Sequence, residues 1–507
     1  MRGLVSTWAS RAWLAVAVVG LIVVGLVIGL KLIPRLTAGQ QVIDAAAPAM
    51  TDAAVKGEVA ATKLLGQYVD LADPLMTRRG GGNEEVATLV RLVSRRGDIA
   101  PERVRALIRR EAPHVEALLR ALPFSAIATE RPRLTRLLSR TLNIGAEDLQ
   151  DEIARSFPGL YQTLSELPSV TSGWYDIPGV EGMTRFDGRT PARTMPAMRD
   201  YLRDDLVATA GEQKERFQYL AGWGGIGYIP YLVLIIGMIV FAFGLMQSRR
   251  AANHPPGKPA WALVVAIGVV LMLLVGALQY IPRLNGADTM ISELAPAFER
   301  PRVDGLRAGT DLVAQAVLFG DPIMTKAGAA AGEYAKLVAL VAERSGLTRR
   351  QVRGRLADAA PRTAALLQAI PLDAAAKEVP HLLAVLSRRT DLRRGRLGRT
   401  LRRETPGLTQ ALLALGPVTG GWRRIPGTEN LERFDGVTPV RSAAAFAGYL
   451  DRDVVPVLES EREHFDTLAD TWPPVNVFGW LLLGIGAFVA IYGVAMMFLV
   501  TKAPPRY

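Results

Sequence analysis

The chain has 507 residues, half of them apolar, with 60 lysines and arginines against 48 acids and no cysteine. Without cysteine there is no disulfide, no thiolate nucleophile and no thiolate metal site. The formal charge of +12 does not point to nucleic acid: residues 34–225 hold 25 basic and 25 acidic side chains, residues 283–476 hold 27 and 23, and the rest of the excess flanks apolar stretches.

Taken in order, a cytoplasmic N-terminus (1–12) with Arg2 and Arg11 precedes a first apolar span at 13–33. A polar segment follows at 34–225, then a second span at 226–246. A loop at 247–259 carries Arg249, Arg250 and Lys258, and a third span runs over 260–281. A second polar segment (282–477), a fourth span (478–500) and a C-terminus (501–507) with Lys502 and Arg506 complete the chain. Each span has the roughly 20 residues that cross about 30 Å of hydrocarbon as a helix. The first is longer than a signal-peptide core and lacks a convincing small-residue cleavage site, so it reads as a retained anchor. Basic residues in the short connections place both termini and the middle loop in the cytoplasm and both polar segments outside, in a plasma membrane. The alanine- and arginine-rich, lysine-poor composition suggests a bacterium of high GC content.

The polar segments and spans are one unit written twice. Ile33-Pro34-Arg35-Leu36 returns as Ile281-Pro282-Arg283-Leu284, and Asp73-Pro74-Leu75-Met76-Thr77 as Asp321-Pro322-Ile323-Met324-Thr325. The offset is 248 throughout, without a gap from Trp13/Trp261 to Phe217/Phe465. Two halves of two spans each enter the membrane in the same orientation, the pattern of a parallel repeat.

Within each polar segment the apolar spacing is helical. Val86, Leu89, Val90 and Val93 form one stripe, Val104, Leu107 and Ile108 a second, and Val115, Leu118, Leu119 and Leu122 a third. Gly97 and prolines 101, 113, 132, 158 and 196 mark helix boundaries. A second register, 45 positions long, takes Leu89–Arg95 to Leu134–Arg140 and Pro113 to Pro158; in the second half Pro361 matches Pro406. Each polar segment therefore carries two copies of a three-helix unit, expected to pack on each other. The predicted fold is an all-α membrane protein: four transmembrane helices and two extracytoplasmic helical domains.

A loop of about 25 residues follows the nested units and is also written twice. It carries Trp174, Arg185, Phe186, Asp187 and Arg193, and then Trp422, Arg433, Phe434, Asp435 and Arg441. Two readings stand. Trp and Phe could plug the domain while Asp187 pairs with Arg185 or Arg193; or the loops could be a partner-binding surface, since Trp and Arg dominate interface energies. The halves also disagree in charge. Glu147, Asp148, Asp151 and Glu152 in one face a run of eight arginines between Arg388 and Arg403, including Arg396 and Arg399, in the other. Asp148 and Asp151 could pair with Arg396 and Arg399 across the domains, or both faces could be independently solvated.

No repeated histidine, nucleophile elbow or phosphate loop appears: His114, His254 and His381 have no histidine equivalent, nor does His464. Gly80-Gly81-Gly82 reads as a flexible turn, and Asp73 and Asp321 as helix-end residues. The spans carry no acid, which argues against ion coupling. Gly237 and Gly244, Gly479, Gly486 and Gly493, and Gly25-x-x-x-Gly29 favour close packing of a four-helix bundle. No motif points to a characterised family. The expectation is a non-enzymatic scaffold or accessory subunit of an envelope or transport complex, without cofactor or metal. Its partners would be membrane lipid and another envelope protein or anionic envelope component, not nucleic acid. The alternative is a protein that binds or transfers lipid or an apolar solute.

Overall fold

The computed structural model describes residues 2–222, 226–251, 257–469 and 473–501. Lys502 and Arg506, used above to argue sidedness, and His254 lie outside the described residues. Helices in the first half are α1 (Arg2–Gly29), α2 (Leu32–Ala46), α3 (Asp52–Met76), α4 (Gly82–Gly97), α5 (Pro101–Glu111) and α6 (Pro113–Arg120). They continue with α7 (Ser125–Leu142), α8 (Ala146–Ser156), α9 (Pro158–Gly173), α10 (Met195–Asp200), a π-helical turn, α11 (Ala208–Ala221) and α12 (Ile229–Ala251). The second half gives α13 (Lys258–Ala277), α14 (Tyr280–Phe298), α15 (Arg300–Met324), α16 (Glu333–Ser345), α17 (Arg349–Ala359), α18 (Pro361–Ala369) and α19 (Leu372–Arg389). It ends with α20 (Arg394–Glu404), α21 (Pro406–Gly421), α22 (Ala443–Tyr449), α23 (Val455–Ser460), α24 (Arg462–Ala469) and α25 (Val477–Thr501). Among the described residues there is no strand, only the bridges Thr184–Pro191 and Glu432–Pro439.

The chain divides into two compact units, and neither is a half of the sequence. The first collects Met1–Thr51, Thr209–Glu299 and Val457–Tyr507. Its four helices at Trp8–Gly29, Ile229–Ala251, Lys258–Ala277 and Val477–Leu499 are long and apolar enough to cross a membrane. Their outward faces expose Leu21, Ile22, Leu273, Phe488, Ile491 and Phe498, a surface suited to hydrocarbon and not to water. The expected spans 13–33 and 260–281 end earlier than the apolar runs do, because Lys31 (φ 49°) and Gln279 (φ 48°) take left-handed geometry and start α2 and α14. α1 lies along α12, and α13 along α25. At the first contact a Cβ on Gly20 would stand 2.4 Å from the Phe241 nitrogen, and one on Gly244 2.5 Å from that of Ala17. At the second, one on Gly268 would stand 2.5 Å from the Ala490 nitrogen. Small residues thus admit backbone-to-backbone packing. Gly25 and Gly29 face open space and take no part, contrary to expectation. Trp13 and Trp261, 248 apart, stack with centroids 3.9 Å apart and 15° between planes, flanked edge-on by Phe243 and Tyr492.

The second unit, here called the head, collects Asp52–Ala208 and Arg300–Pro456. The two polar segments do not form a domain each: they interlock. α3 lies along α21 of the other half, and α15 along α9. These crossings are reciprocal, as in an isologous pair. Gly421 meets Leu64 and Gly173 meets Leu312; Gly57 meets Leu431 and Gly305 meets Met183. Tyr68 donates to the carbonyl of Ala316, its own equivalent, at 3.1 Å, and Arg120 to Gln368, its own equivalent, at 3.0 Å.

Each nested unit is helix, left-handed turn, helix, then a proline-led helix. The left-handed residues are Asp98, Asn143, Gly346 and Asp391, at one register position. Prolines 101, 113, 158, 361 and 406 start helices, where a missing N–H costs nothing. Pro132 instead lies inside α7, which runs through it to Leu142. The units pair across the halves: α4–α6 with α19–α21, and α7–α9 with α16–α18. Pairing inside one half, as expected from the sequence, fails because the apolar seam of each unit is filled by its diagonal counterpart.

Candidate functional site

The twin loops are anchored from inside. Trp174 is fully buried and donates its indole N–H to Asp73 at 2.9 Å, and the Tyr175 hydroxyl donates to the same oxygen at 2.7 Å. Trp422 does the same to Asp321 at 3.2 Å. The two aspartates lie in the last turns of α3 and α15, as expected of helix-end residues, and there they anchor the loops. Arg185 grips Asp205 with two bonds of 2.9 and 2.7 Å, and Arg433 grips Asp453 with two of 2.8 Å. These hydrogen bonds raise both guanidinium pKa values. Phe186 stands edge-on to Tyr201 and Phe434 to Tyr449.

Asp187 does not pair with either arginine. It closes its own turn, accepting from the backbone N–H of Arg189 and Thr190 and from the Thr190 hydroxyl. Asp435 repeats this with Val437 and Thr438. The threonine hydroxyl, then the backbone donors, hold both carboxyls down at about 2. Arg193 and Arg441 donate to the carbonyls of Glu181 and Glu429. All ten side chains proposed for the loops are accounted for by contacts within the head, which is the plug geometry. The glycine turn is likewise packed, not loose: a Cβ on Gly80 would lie 2.0 Å from the Asp73 carbonyl oxygen.

Sequence reasoning missed a set of four glutamates. Glu333 accepts from the backbone N–H of Gly159 (3.4 Å) and Leu160 (2.8 Å), and Glu85 from those of Gly407 (3.1 Å) and Leu408 (2.5 Å). Glu130 binds the N–H groups of Arg362 and Thr363, and Glu378 those of His114 and Val115. Each carboxylate caps a proline-led helix of its diagonal partner, where orphan donors and the helix dipole favour negative charge. Their signal was present: all four sit at one position of the 45- and 248-residue registers.

Two buried acids, Glu116 and Glu58, have no acidic equivalent in the other half. Glu58 lies inside the head, where burial pushes its carboxyl up to about 7 despite the hydrogen bond donated by the Tyr449 hydroxyl. Asp453, buried and held by Arg433, adds its charge to the burial and the Glu58 contact that push the Tyr449 hydroxyl up. The position equivalent to Glu58 is Leu306. At the other crossing, Arg302, which has Ala54 as its equivalent, donates to the carbonyls of Thr184 and Arg185 at 2.9 Å and lies over the Phe186 ring.

The expected pairing of Asp148 and Asp151 with Arg396 and Arg399 is not formed. α8 packs on α7 and α9, and α20 on α4, α19 and α21. Among the described residues, the one ion pair reaching α8 from the other half is Arg344 to Glu152, at 3.6 Å. His114 meets Glu378 at 2.7 Å and His381 meets Glu111 at 3.0 Å. Among the described residues no group of three or more His, Asp and Glu could hold a metal ion. The head has an open polar depression of about 450 Å³ beside Tyr334, Arg353 and Gln368. The membrane-type unit has an apolar groove of about 610 Å³ between α1 and α25, lined by Leu14, Val18, Ile22, Ile485 and Phe488, with Arg11 also at its wall. No protein-family model, no curated protein and no solved structure matches the chain.

Proposed function

We propose that the chain is a non-enzymatic, four-pass plasma-membrane protein whose interlocked helical head, outside the cytoplasm, binds a component of the cell envelope. It would serve as a scaffold or accessory subunit of an envelope or transport complex. The observation that carries this is where the head keeps its unspent chemistry. The twin loops and four glutamates are consumed by internal bonding, whereas the eight arginines between Arg388 and Arg403 are all exposed. A charged surface in which, among the described residues, only Arg403 has an ion-pair partner is a recognition feature, not a catalytic one. Basic residues beside the apolar helices support the sidedness.

The test has two parts. Cysteine at Arg189 or at Val437, which is 78 % exposed, reacts with an impermeant thiol reagent in intact cells, and cysteine at His254 does not. Labelling at 254 alone reverses the topology. Purification in mild detergent then retains an envelope component that the head alone selects. The apolar groove between α1 and α25 favours a second reading, the binding or transfer of a lipid. Stoichiometric lipid on the purified protein, lost on Val18→Trp, would establish that reading instead.

A further inference from the structure

α8 and α20 occupy equivalent places in the head, and their comparison is an internal control. Each buries a narrow seam, Leu149 on α8 and its equivalent Leu397 with Leu401 on α20, against the proline-led helix that follows. Outside the seam, Asp148 and Asp151 stand where α20 has Arg396 and Arg399. The same helix in the same packing role accepts either sign, so the fold does not require the arginines.

The arginine face is larger than one helix. Arg388, Arg389, Arg393, Arg394, Arg396, Arg399, Arg402 and Arg403 are all exposed, and among the described residues only Arg403 forms an ion pair, with its neighbour Glu404 at 2.9 Å. The end of α4 adjoins them: a Cβ on Gly97 would lie 2.9 Å from the Arg389 carbonyl oxygen, and Arg95 and Arg96 are exposed beside it. The exposed large apolar residues of the head (Val59, Leu318, Leu413 and Val437) all fall outside 388–404. The face therefore lacks the apolar or aromatic anchors of a protein interface and the stacking platform of a single-stranded nucleic-acid site. What remains is pure charge with fork geometry. Three doublets (388–389, 393–394 and 402–403) each bring ten N–H donors together, a better match to phosphate oxygens than to the two of a carboxylate.

We propose that the α20 face is a docking surface for a linear phosphate-bearing polymer of the envelope. The proposal rests on the binding role argued above and supplies the partner's chemistry. The full-length protein in nonionic detergent is titrated with long-chain inorganic polyphosphate over a range of salt. Affinity falls linearly on a log–log plot, with a slope of about 0.7–0.9 per phosphate contacted. Replacing Arg393, Arg394, Arg396 and Arg399 together with Gln lowers affinity at least tenfold and reduces the slope by about three. The Asp148→Asn, Asp151→Asn variant loses nothing, and thermal melts show both variants folded. A matched set of lysines keeps the slope but binds more weakly. Binding indifferent to the glutamine set, equal binding of polyglutamate, or binding only to anionic phospholipid vesicles overturns the proposal. Should polyphosphate fail while a different envelope component is retained through another face, this surface is refuted and the binding role stands. If nothing is retained, both fall.

Discussion

The head contains two places where a long helix of one half meets the loop of the other, and they are held differently. At α3 a buried acid, Glu58, accepts from Tyr449; at α15 a buried base, Arg302, donates to loop carbonyls. Beneath that difference the glycine approaches and the bidentate arginine–aspartate grips recur at both places, and the four glutamate caps join the diagonal units beside them. The interlock therefore resides in backbone contact and helix capping, and the buried polar residues are local variations laid on it.

The sharpest break in the comparison is expected at Gly159 and its equivalent Gly407. A Cβ at Gly159 would stand 2.2 Å from the Ala330 backbone nitrogen, whereas one at Gly407 would first meet the Pro74 Cβ at 3.2 Å. Gly159→Ala should cost about 3 kcal/mol by overpacking against backbone, and Gly407→Ala well under half of that. Equilibrium denaturation of the two variants decides it, and equal losses would mean that backbone proximity is not what limits this crossing.

The caps should rank next. Glu130, nearly fully buried, leaves two backbone donors and the Thr363 hydroxyl without their acceptor when replaced by alanine. The cost is about 2 kcal/mol. Glu378 is more open, water can replace it, and its alanine variant should lose about half as much. The loop grips come third. Arg433→Ala strands the buried Asp453 and should lower stability by roughly 1 to 2 kcal/mol, with Arg185→Ala close behind. Unchanged melting together with loss of a bound partner would return these loops to the role of recognition surface.

The smallest effect is a dependence on pH. Glu58 has a folded-state carboxyl near 7, against an ordinary value of 4.5, because burial disfavours its charge. The folded head holds that proton more tightly than the unfolded chain, so stability declines as pH rises between those values and levels off above them. Going from pH 8 to pH 6 should stabilise the head by on the order of 1 kcal/mol. Asp187 and Asp435, held at about 2, do not titrate in this window. Glu58→Leu, which copies Leu306, should be more stable at pH 8 and flatten the profile. A slope that survives the substitution would assign it to another group.

Hydropathy and register made much of this fold legible. The four apolar helices fall where their composition put them, because hydrocarbon imposes a length, and prolines 101, 113 and 158 marked helix starts because the first turn tolerates them, whereas Pro132 lies inside a helix. The diagonal pairing was not legible: a 45-residue register places the same apolar seam on all four units and favours no partner. What selects the partner is the reach of Glu85, Glu130, Glu333 and Glu378 to a distant helix end, and distance is not written in spacing. The loop residues were identified, but their contacts were not. Asp187 was assigned to an arginine by charge, yet a turn that offers two backbone donors and a hydroxyl satisfies it more fully. The glycines of the α1–α12 contact show the same limit, since Gly25-x-x-x-Gly29 has the motif and Gly20 has the neighbour.

The reciprocal crossing of α3 with α21 and of α15 with α9 also sets a timetable. A ribosome adds about 5–20 residues each second, and α3 is made some 350 residues before α21. For on the order of half a minute the first polar segment stands with its long helix uncovered and the helix ends of α6 and α9 lacking the carboxylates that will cap them. Contacts of such sequence separation are slow to form and leave apolar surface open meanwhile. A nascent first half is thus a client for a chaperone, and two separately expressed halves would have to find each other before either could finish folding.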